Sequence, residues 1–201
     1  MALRVKTKWH KSENKSLEDI ASVLAFTTWK VGVQAVDHLG DEDFTFESTQ
    51  DRFAVLGEVL IFLVQIVDRW IHEEWKDDAE RGQLVTALVM RLASTWHENQ
   101  NDWVVAGEYR EPFIVLFNER AQEYAEFSCS QQEGPGYPFR RYLGAKVLAV
   151  MGEKSINRWV IDQVMDIEVP EALKTLQRGF RGLFAKQNTD IPAVGHRQTG
   201  T

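Results

Sequence analysis

The stretch Phe53-Ala54-Val55-Leu56-Gly57-Glu58-Val59-Leu60-Ile61-Phe62-Leu63-Val64-Gln65-Ile66-Val67-Asp68-Arg69-Trp70-Ile71 decides the fold. Its apolar positions Phe53, Leu56, Leu60, Leu63, Val64, Val67 and Ile71 wrap most of a helical cylinder. The polar positions Glu58, Gln65, Arg69, His72 and Lys76 fall in one narrow stripe, at spacings of seven, four, three and four. A helix that apolar has to be sheathed by neighbours, because no single partner can cover it. With Ser48 or Thr49 as its start, the spacing predicts a central helix over about 49–75. Glu58 and Gln65 interrupt the run, and Asp68-Arg69 follows at once. It therefore falls short of the roughly 18 uninterrupted apolar residues that suggest a membrane span.

Helical periodicity continues on both sides. Ser16 opens a first helix, with Asp19 three residues on as a capping-box partner. That helix has two apolar faces, one with Leu24 and Val31, the other with Phe26 and Trp29, and Leu39-Gly40 ends it. A third helix over about 79–98 follows the short Lys76-Asp77-Asp78 junction, so it folds back antiparallel onto the second. Pro112 opens a fourth over 111–128. The clearest loop is 130–138. A fifth helix over 139–151 and a sixth over 155–168 follow, the sixth with Ser155 as N-cap and Trp159, Val160, Val164 and Ile167 inside. Pro170 begins a basic, amphipathic seventh with Leu176, Phe180, Leu183 and Phe184 on one face. The expected architecture is all-α: one compact bundle of six or seven helices over 16–187, with a basic arm at 1–15 and a disordered tail at 188–201. In the arm, Leu3, Val5, Thr7 and Trp9 alternate with Arg4, Lys6, Lys8 and His10, which is strand period.

Bulk properties narrow the function. The chain has 201 residues, 44% of them hydrophobic and 26% charged, enough for a self-sufficient core. The net charge of −7 is unevenly spread. Residues 1–15 carry five Lys/Arg and one Glu, residues 171–201 five Lys/Arg and two acids, and 16–170 thirteen bases against 27 acids. An acidic body with basic ends makes nucleic acid an unlikely partner, since a phosphate backbone needs a continuous positive surface. One cysteine, Cys129, excludes an internal disulfide and an all-cysteine metal site, and fits a cytoplasmic protein. No cofactor is expected.

Five histidines invite a search for ligands. Glu-x-x-His pairs, His-Glu-x-x-His, Gly-x-Ser-x-Gly and the phosphate loop are all absent. Asp68 and His72, one helical turn apart, remain as weak metal candidates on the polar stripe, where a solvated salt-bridge row is the plainer expectation. Arg120 is the oddest residue. Helical phase places it among Phe113, Leu116, Phe117, Tyr124 and Phe127, with Glu119, Gln122, Glu123 and Glu126 on the opposite side. A guanidinium there needs a buried partner. Asp68 is the first expectation and Glu58 the second, giving a buried polar cluster of Arg120, Asp68 and Glu58.

Seven tryptophans are many for this length, and Trp70, Trp75, Trp96 and Trp103 are expected to gather at the open end of the second hairpin. They are either core or a patch for a protein partner. The best reading is a non-enzymatic cytoplasmic interaction, adaptor or assembly-chaperone module, with a protein partner or a homo-oligomer. The alternative is a metal- or anion-binding helical-bundle enzyme or sensor using Asp68, His72, Arg120 or Glu123. The third is contact with an anionic membrane surface through the basic C-terminal helix.

Overall fold

The computed structural model describes residues 16–75 and 77–184. The arm at 1–15, the tail at 188–201 and residues 185–187 at the expected end of the bundle lie outside them. Helix α1 is Leu17–Asp41, α2 Thr49–Glu74 and α3 Asp78–Trp103. Helix α4 is Arg110–Tyr124 and α5 Tyr137–Met151. A 3₁₀ turn, Ser155–Trp159, leads into α6, a single α-turn at Val160–Gln163. A π turn, Val164–Glu168, joins α6 to α7, Val169–Phe184. The fold is all-α, as the periodicity predicts.

The helix starts follow from local chemistry. Ser16 Oγ accepts the Asp19 N–H at 3.2 Å, and the Asp19 carboxylate accepts the Ser16 N–H at 3.2 Å, a reciprocal cap. Ser48 accepts from Asp51 at the head of α2. Asp77 accepts from Ala79 and Glu80 at the head of α3, so the tight α2–α3 junction carries its own stop and start signals.

Helix α2 is the inner rod. Every residue from Val55 to Val67 is buried, because α1, α3, α4 and α5 all pack directly on it. Each Leu, Ile or Phe so enclosed contributes about 1.5–3 kcal/mol of transfer free energy. Arg81 near Asp68 at one end and Trp96 against Phe53 at the other show that α3 returns antiparallel along α2. Helix α7 packs along α1, and its Phe180 and Phe184 stack edge-on against Trp70 and Trp75 of the α2 end. Its apolar face is thus covered by the body, while Lys174, Arg178 and Arg181 face solvent.

Three expectations need correction. The 130–138 loop holds a small antiparallel ladder, β1 (Cys129–Ser130) with β2 (Gly134–Pro135). It is pinned by Gln131, whose Nε2 donates to the Trp70 carbonyl at 3.0 Å and whose N–H donates to Glu73 at 2.9 Å. The expected sixth helix is three different windings, not one. Ser155 has φ 51° and lies past the cap position, which Lys154 takes. Trp159 is 56% and Ile167 40% exposed, since 3₁₀ and π turns shift the phase that a uniform 100° per residue assumes. Pro170 follows the π turn. It has no N–H to give, and the widened turn before it lets the Val169 N–H reach the Val164 carbonyl. The tryptophans do not gather at one end. Trp70 and Trp75 sit by the α2–α3 turn, whereas Trp96 lies about 27 Å up α3 from that turn, at 1.5 Å per residue, against Phe53 and Phe113.

Candidate functional site

Arg120 lies on the inner side of α4, at the height of Glu58 on α2. Its Nε is 3.0 Å from both Glu58 carboxylate oxygens, and Nη2 is 2.8 Å from Oε1. The pair is buried, with the side chains of Arg120 and Glu58 16% and 6% exposed. Hydrogen bonding to Glu58 holds the guanidinium pKa above its usual value, against the opposing effect of burial. Of the expected cluster, Asp68 does not take part. It is ten residues along α2 from Glu58, about 15 Å of rise, and faces α3, where Arg81 lies 3.6 Å away.

Glu123 was expected on the far side of α4, but it joins the site. Arg120 Nη1 donates to it at 3.1 Å, the Tyr142 hydroxyl of α5 donates to the same oxygen, and Lys146 stands 3.7 Å away. The Tyr142 bond chiefly lowers the Glu123 pKa. Burial, with that same bond, raises the Tyr142 pKa. Around these charges, Tyr124, Phe139 and Phe62 stack together. Arg69 donates to the Tyr124 carbonyl at 2.8 Å, capping the end of α4. The arrangement ties α2, α4 and α5 into one register. Because Arg120 already faces two carboxylates, an added anion would have to displace one of them.

Asp68 and His72 are not brought onto one ion. Arg81 bridges Asp68 and Asp78, at 3.6 and 3.5 Å, and Asp78 lies 3.6 Å from His72, whose side chain is 61% exposed. The result is a row of polar contacts at the α2–α3 turn, with Arg81 between two carboxylates. Of the predicted stripe, Glu58 and Gln65 are buried, Arg69 is half-buried and His72 is exposed, while Lys76 lies outside the described residues. Among the described residues no group of three His, Cys, Asp or Glu side chains is placed to hold a metal.

A contact that the periodicity misses joins α1 to the π turn. His38 Nδ1 is 2.8 Å from Glu168 Oε1, which also accepts from Gln163 at 2.9 Å. Glu168 is buried because the π turn rotates it inward in place of Ile167. The Glu168 hydrogen bond raises the His38 pKa, burial opposes it, and Glu171 and Glu42 add smaller attractions. The pair borders a groove of about 650 Å³ between α1 and α7, with Lys174 and Arg178 on its far wall. The contacts favour imidazolium over a free base. One hundred and thirty residues separate the partners, so no local pattern signals the pair.

The outer side of α4 is different. Phe113-Ile114-Val115-Leu116-Phe117 is apolar all round the helix, yet within this run only Phe113 is buried. Val115 is 51% exposed, and Trp103 and Val105 just before the helix are 44% and 64% exposed. Pro112, Val115 and Leu116 line a shallow hollow of about 420 Å³, flanked by Glu111 and Glu119. Among the described residues no helix is long and apolar enough to cross a membrane. No family model matches the chain, and no characterised protein or solved structure is significantly similar to it.

Proposed function

We propose that this chain is a non-enzymatic interaction module of the adaptor or assembly-chaperone kind, which receives a basic, apolar protein segment on the outer side of α4. One observation carries the reading: in the apolar turn 113–117 of α4, Phe113 is buried and Ile114, Leu116 and Phe117 pack half-buried on the core, while Val115 stays exposed. Exposed apolar surface rimmed by charge is what partner sites look like. The rim is acidic. Glu111 and Glu119 flank Val115, so a partner with Lys or Arg beside its apolar anchors fits best. A cytoplasmic setting agrees with the lone thiol of Cys129. The metal- or anion-binding alternative has less support, because Glu58 and Glu123 already hold Arg120.

A photo-crosslinking side chain at Val115 tests this, with the same probe at exposed Gln50 as control. The expected result is a basic protein crosslinked from Val115 and not from Gln50. Its binding, measured with both proteins purified, should weaken at least tenfold in Val115→Lys and survive in Val115→Ile. Equal crosslinking from both positions, or unchanged binding by Val115→Lys, would overturn the proposal. Crosslinks only between two copies of this chain would replace the basic partner with a second copy and overturn that assignment too.

A further inference from the structure

Helices α1 and α7 run antiparallel. His38 meets Glu168 at one end of their interface, and Thr27 lies against Gly179 at the other. The groove of about 650 Å³ that they border is sorted by charge along its length. Val31, Ala35 and Ala172 make its buried apolar floor. Lys30, Lys174 and Arg178 line it toward the Gly179 end, and Asp41 and Glu171 toward the Glu168 end. We propose that this groove binds a small phosphorylated molecule, with its phosphate among the three cations and its hydroxyl or amino donors against the two carboxylates. The site shares no residue with α4 and does not use Arg120, so it stands apart from the partner surface.

Three observations carry the assignment. The first is unpaired charge. Lys174 and Arg178 sit one turn apart on α7, and the antiparallel register sets Lys30 of α1 level with the turn between them. Like charges at that spacing repel. Elsewhere Arg52, Arg81, Arg91, Lys146 and Lys154 each hold a carboxylate. Among the described residues none pairs with Lys30, Lys174 or Arg178, although the chain is acidic, with a net charge of −7. Three cations brought from two helices to one place suit the several oxygens of a phosphate, and the arginine adds its forked donors. The second is what remains at the acidic end. Arg52 holds Asp37, and His38 and Gln163 hold Glu168. Asp41 and Glu171 are the groove's carboxylates left without an ion pair among the described residues. They repel a second phosphate and accept O–H or N–H donors. The third is scale. From Arg178 back to Glu171 is seven residues, about 10 Å of rise, which a sugar phosphate spans and a polymer overruns. Gln34 and Thr175 lie between the two ends, with no side-chain partner among the described residues, and can bond the body of the ligand.

Isothermal titration calorimetry of the full chain tests this with three probes: inorganic phosphate, and glucose and glucosamine phosphorylated on the primary hydroxyl. The expected affinity rises in that order, because the sugar adds hydroxyl donors and the amino sugar an ammonium. The double variant Lys174→Gln/Arg178→Gln should weaken all three by about tenfold or more, the loss of at least one charge-assisted bond. Without ligand it should melt no lower than wild type, since it relieves a like-charge pair, so that lost binding is not lost folding. Glu171→Gln should weaken the glucosamine phosphate and leave inorganic phosphate bound at least as tightly. Lys154→Gln, outside the groove, should change nothing. No heat with any probe, or equal affinity in wild type and the double variant, would overturn the proposal. Equal affinity for all three probes would overturn the two-ended assignment. Binding confined to vesicles containing phosphatidylglycerol would make the cations a membrane contact and overturn the small-molecule assignment too.

Discussion

Glu58 and Arg120 face each other side-on across the α2–α4 interface, with Nε and Nη2 both within 3.0 Å of one carboxylate. Neither charge has much access to water. Removing Arg120 leaves the Glu58 carboxylate buried without its partner, which costs about 3–5 kcal/mol, whereas removing Glu58 leaves Arg120 still paired with Glu123. Arg120→Leu should lose stability of that order in urea unfolding, and Glu58→Leu less, because Glu123 still holds the guanidinium. The double variant Glu58→Leu/Arg120→Met should recover most of it, because an apolar pair of similar volume carries no desolvation penalty. An Arg120→Leu variant that stays within about 1 kcal/mol of wild type would show that the pair does not hold the register.

His38 makes stability depend on pH with a definite sign. Its folded-state pKa is raised above the usual 6.5 by Glu168. The folded protein therefore holds the proton more tightly than the unfolded chain does. The stabilisation is complete below the unfolded value and is lost as pH climbs through the folded one. Thermal unfolding from about pH 6 to 8 should show Tm falling in the wild type. His38→Gln should flatten that fall, and an unchanged slope would remove His38 as its source.

Cys129 should be a sluggish nucleophile. Burial pushes its thiol up to about 11, with Arg69 opposing and Glu73 reinforcing the shift. Thiolate is the reacting species, so near pH 8 alkylation should be slower than for a free thiol by a factor on the order of 100. Mass spectrometry of iodoacetamide labelling, with and without urea, measures that ratio directly.

At Gly144, α5 lies tightly against α6. A Cβ there would lie 3.1 Å from the Ile161 Cα and 3.2 Å from its carbonyl oxygen, and backbone cannot yield as a side chain can. Gly144→Ala should lose about 1–3 kcal/mol, although alanine is the better helix former by about 1 kcal/mol. Gly82→Ala, with open space around it, should gain from the same propensity. Calorimetry of the two variants side by side should show shifts of opposite sign.

The candidate sites were partly legible. That Arg120 needs a buried anion follows from its place among Phe113, Tyr124 and their neighbours. That the anion is Glu58 and not Asp68 does not, because both lie on α2 and only the crossing height of α4 chooses between them. Glu123 belongs beside Arg120 by helical phase too: three residues at 100° each bring it within about 60° of Arg120, so the expectation of the far side misreads the phase and the i,i+3 pair forms. The inward turn of Glu168 was hidden by the π turn, which no uniform periodicity anticipates.

The amino-acid order alone settled that α2 is a sheathed rod, where the first three helices begin, and that the chain is all-α. These are local matters: a 3.6-residue repeat and a capping side chain act within a few residues of themselves. The partners of Arg120 and His38, the windings between Ser155 and Glu168, and the half-covered state of α4 were decided only in three dimensions. Each depends on how far one helix slides and turns against another, and that is set by the packing of the whole core at once.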